Sequence, residues 1–167
     1  RFRILQAGQS RLRAEIERLQ PSELLLPDSA QAPVAGVTIR RQPDWQFDID
    51  SATKLLSKQF GTADLAGFGC ADVPLGVAAA GALLQYVQQT QRSSLPHLTG
   101  LTVEHDDDYI RMDASTRRNL EISETISRES APTLFSLLNC TATSMGARLL
   151  RDWLHHPLRN RQVVQER

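Results

Sequence analysis

Two hydrophobic periods divide this chain, and their order limits the folds open to it. Up to about residue 90, stretches of period two alternate with stretches of period 3.6; beyond Asp113 only the helical period remains. Phe2 to Leu5 alternate as a short strand. Ser10 is placed to cap a helix carrying Leu12, Ile16 and Leu19 on one face, Pro21 stops it, and Glu23 to Leu26 reads as a second strand. Such a strand–helix–strand unit joins parallel strands by a crossover. After Pro27 to Pro33 comes another strand, Val37 to Arg41. Asp48 or Asp50 then caps a helix with Ile49, Ala52, Leu55, Leu56 and Phe60 at helical spacing, ended by Gly61. Pro74, after Asp72, suits the first turn of a helix reaching about Gln89. Its run Ala78 to Gly81 is small enough for another element to approach closely. Residues 1–92 are therefore expected to form an α/β layer domain.

The character changes at Ser93 to Pro96, a linker signal, so a mainly α-helical segment is expected over residues 93–167. Leu101 to Glu104 and Tyr109 to Met112 flank His105-Asp106-Asp107-Asp108, which reads as a hairpin. In MDASTRRNLEI, Met112 ends a strand and Asp113 caps a helix with Thr116, Leu120 and Arg117 facing inward. Arg117 or Asn119, tied to neighbouring backbone, would fix that sharp transition. In TLFSLLNCTATSMGARLLRDWLHHPL, Leu134, Leu137 and Leu138 make a short apolar helix that ends at Asn139-Cys140-Thr141. Thr143 or Ser144 caps the next helix, where Met145, Leu149 and Trp153, widened by Leu150 and Leu154, form a broad face for burial. Gly146 leaves room for a close neighbour, Asp152 can pair with Arg148 at i,i+4, and Pro157 ends the helix. The stretch reads as a helix–turn–helix joint, not an active site.

Composition narrows the function classes. Nineteen basic and nineteen acidic residues cancel, whereas a protein holding nucleic acid through its phosphates normally carries a basic excess. Only Lys54 and Lys58 are lysines; the other basic residues are arginines. Cys70 and Cys140 are isolated in sequence, which argues against a disulfide framework or a zinc site and for a reduced, cytoplasmic compartment. No apolar run has the length of a membrane span. The chain opens RFRIL without methionine and closes on an unfinished helical pattern, RNRQVVQER, so a piece of a larger protein is expected.

Four candidate chemistries have plainer structural readings. Gly61, Gly67 and Gly69 fit neither G-x-G-x-x-G nor G-x-x-x-x-G-K-[ST], and read as a turn. Asp106 to Asp108 lack the spaced ligands of a calcium loop. Asp48, Asp50 and Asp72 are better placed as helix caps or first-turn residues than as two-metal ligands, and Asp64 has no assignment. His155 and His156 point about a hundred degrees apart on a helix, so they are poor joint ligands, and their positive character suits a helix C-terminus. No catalytic, cofactor or metal residue is assigned.

Long ordered motifs carry a resemblance. MDASTRRNLEI, TLFSLLNCTATSMGARLLRDWLHHPLRN, RRQPDWQFDID (Arg40 to Asp50), QFGTADLAGFG (Gln59 to Gly69) and AAGALLQYVQQTQRSSLPH (Ala79 to His97) are similar to segments of the bacterial MutS family of DNA mismatch repair proteins. Asn139 and Ser144 depart from it, standing where an acidic residue and a proline are common. The resemblance implies an RNase H-like α/β connector with a partly parallel sheet, followed by the start of a helical core or lever domain. It implies a transmission role, a docking surface for MutL, and mismatched double-stranded DNA bound through the full-length homodimer. ATP and magnesium would belong to another domain, and no enzymatic role is expected of these residues. The structural joint would comprise Asp113, Arg117, Asn119, Gly146, Leu149, Leu150, Trp153 and Leu154. A free-standing RNase H-like nuclease and a nucleic-acid-binding module are the alternatives.

Overall fold

The computed structural model describes residues 2–91, 95–104, 109–110, 112–127 and 131–166. It divides into two compact units: residues 1–16 with 20–104, and residues 17–19 with 105–167. The expected linker residue Ser93 and the run His105 to Asp108 lie outside the described residues.

In the first unit, strand β1 (Arg3–Ile4) pairs in parallel with β4 (Thr102–Val103). Strand β2 (Glu23–Pro27) pairs in parallel with β3 (Thr38–Gln42), Glu23 opposite Thr38 and Pro27 opposite Gln42. The expected direct β1–β2 pairing does not form: the two strands sit in separate two-stranded sheets. Alternation marks a strand but does not choose its neighbour. Of the residues expected to flank the hairpin, Thr102 and Val103 pair with β1 and Tyr109 forms an antiparallel bridge to Leu158.

The β2–β3 connection is clamped by one side chain. Arg41 Nη1 donates to the carbonyls of Pro27 at 3.0 Å, Asp28 at 2.9 Å and Ala30 at 2.9 Å. A guanidinium presents several donors in a fixed fork and so satisfies carbonyls that the loop cannot pair by itself. Asp44 Oδ1 accepts from the backbone N–H and the hydroxyl of Ser29, closing the same loop. Between β1 and β2, helix α1 (Gln9–Leu19) starts from Gly8 as its N-cap rather than from Ser10, which lies within the helix. Of the expected face only Ile16 is buried; Leu12 and Leu19 are exposed.

Helices α2 (Ile49–Phe60) and α3 (Pro74–Gln91) carry the core. Asp48 caps α2 by accepting the Ser51 N–H, and Gly61 ends it in the left-handed conformation (φ 69°) that glycine adopts without steric cost. Ala52, Leu56, Val77, Ala80 and Leu84 meet Ile4, Leu65, Cys70, Val73, Leu95 and Leu101 in one cluster. Leu56, Leu84 and Leu95 are fully enclosed, each contributing about 1.5–3 kcal/mol of burial. Gln59 Nε2 donates to the carbonyls of Leu95 and Leu98, and its Oε1 accepts from Gln88.

The second unit contains α4 (Ala114–Asn119), α5 (Leu134–Leu138), α6 (Ser144–His155) and α7 (Arg161–Gln165). Among its described residues the side chain of Ile122 is buried, as are those of Thr125, Thr133 and His156. Among the described residues no helix is long and apolar enough to cross a membrane.

Candidate functional site

The segment expected to form a joint lies in the second unit. Asp113 is the N-cap of α4: its Oδ1 accepts the Thr116 N–H at 2.6 Å and the Ser115 hydroxyl at 2.9 Å. The bond from the Thr116 backbone is the main reason its carboxyl titrates below the ordinary aspartate value. Arg117 is half-buried, and Asn119 is the exposed last residue of α4. Thr116 and Leu120 do not face inward: both are exposed, Leu120 just past the end of a helix of less than two turns.

The chain then reverses through Glu121, at φ 45°. The carbonyls of Glu121 and Ile122 accept the N–H groups of Leu134 and Phe135, at 3.1 and 2.8 Å, and Glu121 Oε1 accepts that of Ile126. Thr133 and Ser136 form a reciprocal capping box that starts α5. The spacing T-x-x-S carries this signal in the sequence, whereas the expectation of a helix here rested on Leu134, Leu137 and Leu138 alone. Arg151 reaches over the Phe135 ring at 5.9 Å, tying α6 to α5.

Helix α6 corrects three expectations. Its apolar stripe is not a broad buried face: Met145 is 78% exposed, and Leu149, Leu150, Trp153 and Leu154 are half-buried. The space left by Gly146 is filled from its own turn, since an added Cβ would lie 3.2 Å from both Thr141 Cβ and Thr143 Oγ1. Asp152 Oδ1 stands 3.9 Å from Arg18 Nη1, in the same unit. Last, His155 is not a cation at the helix end. Burial first, and then the guanidinium groups of Arg151, Arg117 and Arg18, push its imidazole below the ordinary histidine range. Its Nε2 is 2.9 Å from Ser123 Oγ. His156 turns the other way and stacks on Tyr109, ring centroids 4.2 Å apart at 17°. The Ile110 N–H donates to the Pro157 carbonyl beside that stack.

The other sequence candidates do not converge. Asp48 caps α2, Asp64 Oδ1 accepts the Ala66 N–H, and Asp50 lies in the first turn of α2. Among the described residues no group of three or more His, Cys, Asp or Glu side chains is placed to share a metal ion. Gly61 and Gly69 both end helical turns at positive φ, and no lysine follows them, so the stretch does not fit a nucleotide phosphate.

The first unit carries a feature that the sequence did not announce. A groove of about 490 Å³ opens between α2, α3 and the short 3-10 turn Asp44–Phe47. Trp45, Leu55 and Gln85 line it above Gln46, whose side-chain carbonyl is buried without a hydrogen-bond partner. Glutamines on amphipathic helices read as solvent-facing residues, so nothing local pointed to a groove.

These features describe a mixed α/β unit built on small parallel sheets, followed by a helical unit of short helices with capped starts. Residues 1–99 match the family model of MutS domain II, and residues 115–167 match that of MutS domain III. The chain belongs to the MutS family of DNA mismatch repair proteins.

Proposed function

We propose that these residues act as a docking and transmission module of a mismatch repair protein, without a catalytic step of their own. In this reading the first unit is an RNase H-like connector that offers a surface to MutL. The second belongs to the core or lever region, which passes movement between mismatched DNA and the nucleotide state of a cytoplasmic homodimer. ATP and magnesium are then held by other residues of the whole protein.

The observation that most supports this is that the first unit, which contains the residues matching domain II apart from 17–19, has a hydrophobic core of its own, running from Ile4 to Leu101. A unit with its own core can offer a surface or move as a body. The parallel β1–β4 and β2–β3 pairs are compatible with an RNase H-like sheet. The aspartates that a nuclease would need are taken up in caps and turns, and zero net charge argues that DNA affinity arises elsewhere.

The test is a titration of the chain with MutL, with a mismatched duplex as the parallel ligand. Saturable binding of MutL and none of the duplex is expected. Salt-dependent binding of the duplex by the chain alone, or no binding of MutL, contradicts the proposal. Magnesium-dependent cleavage would favour the nuclease reading.

A further inference from the structure

The groove in the first unit has three properties that bear on what it could hold. Trp45 stands at its rim with 67% of its surface exposed. An exposed indole is a large, rigid, amphipathic surface of the kind that anchors interfaces. Beneath it, Gln46 is only 9% exposed, and its Oε1 is buried with no hydrogen-bond partner. A buried acceptor in that condition is costly, and a donor brought by an occupant would relieve it. The last torsion of a glutamine is broad, so the carboxamide can turn its oxygen towards the groove, its NH2 group then taking the buried place.

The remaining lining sets the chemistry of that occupant. Gln85, Gln88 and Gln89 follow along α3, Leu55 supplies an apolar patch from α2, and no lining residue is charged. Each carboxamide offers both a donor and an acceptor, as a peptide group does. Gln85 and Gln89 are four residues apart on one helix, a rise of about 6 Å. That is close to the repeat of about 6.6 Å at which an extended chain presents successive peptide groups along one edge.

We propose that the groove between Trp45 and the glutamines of α3 binds an extended, uncharged peptide segment of a protein partner, with an apolar or proline side chain under the indole. The assignment goes beyond MutL docking and does not depend on it: the groove can hold a peptide whether or not MutL binds the chain.

The experiment pans a random 12-residue peptide display library against the whole chain, then measures the enriched peptides as synthetic ligands. Enriched cores free of Asp, Glu, Lys and Arg are expected, with binding weakened at least about tenfold by Trp45→Ala. Gln85→Ala is expected to weaken binding too, and Leu75→Ala, at an exposed position on α3 that does not line the groove, to leave it unchanged. An unchanged circular dichroism melt of Trp45→Ala would separate lost binding from lost folding. The proposal is overturned if no peptide enriches, if enriched cores are charged, if Trp45→Ala binds them equally, or if a single-stranded oligothymidine occupies the groove in a Trp45-dependent way.

Discussion

Gly81 of α3 faces Ala52 of α2 so closely that a Cβ built on the glycine would stand 2.3 Å from the Ala52 Cβ and 2.6 Å from its Cα. The two longest helices of the first unit therefore touch through backbone and a single methyl. A methyl at position 81 has to push the helices apart, and the core from Ile4 to Leu84 is built on their present spacing. Gly81→Ala should destabilise the chain by about 1–3 kcal/mol. Ala52→Gly in the same chain should restore part of the loss, because the two sites share one contact. Urea melts of the two single variants and the double variant measure the coupling; strict additivity would contradict the contact.

Ser144 is the first residue of α6, and Thr143 before it is extended at φ −130°, ψ 151°. Proline suits a first helical position, where the missing N–H has no intrahelical partner, and it needs an extended residue ahead of it. Ser144→Pro should raise stability by about 0.4–1 kcal/mol. Thermal denaturation checks it; a lower melting temperature would mean that the Thr143 cap had been disturbed.

His155 gives the second unit a pH dependence of definite sign. Its folded-state pKa lies below the unfolded value of 6.5, so between the two the unfolded chain binds more protons. The contribution is fully present above about pH 6.5 and is lost as the pH falls towards the folded value. Melting temperatures measured from pH 7.5 down to 5.5 should fall. His155→Gln, which keeps a hydrogen-bonding side chain near Ser123, should flatten that fall; an unchanged slope would place the titrating group elsewhere.

The two cysteines should react in sequence. Cys70 is buried in the core, and burial raises its thiol pKa, whereas Cys140 is exposed at the turn before α6. A maleimide should modify Cys140 in the native chain and Cys70 only after unfolding, because the thiolate is the nucleophile. Mass spectrometry of labelling with and without urea gives the count directly. Two labels on the native chain would contradict the packing around Cys70.

Several caps and breakers were legible in the sequence because their physics is local, although Gly8 rather than Ser10 caps α1 and the Thr133–Ser136 box was not foreseen. Asp48, Gly61, Asp113 and Thr143 each end or begin a helix using groups within three or four residues. What was illegible joins distant residues. The β1–β4 pair, the Ser123–His155 contact and the Tyr109–His156 stack link positions that no local period relates. His155 was misread because position on a helix suggests a charge, while its neighbours and burial remove it. Met145 obeys the helical stripe and still faces solvent, since periodicity marks a face without saying what covers it. The groove escaped because glutamines signal water.

A docking surface on the first unit would be seen by amide hydrogen exchange of the chain, alone and saturated with MutL. Added protection is expected within residues 1–99, with the amides of 115–167 unchanged. Protection confined to 115–167, or none anywhere, would contradict it.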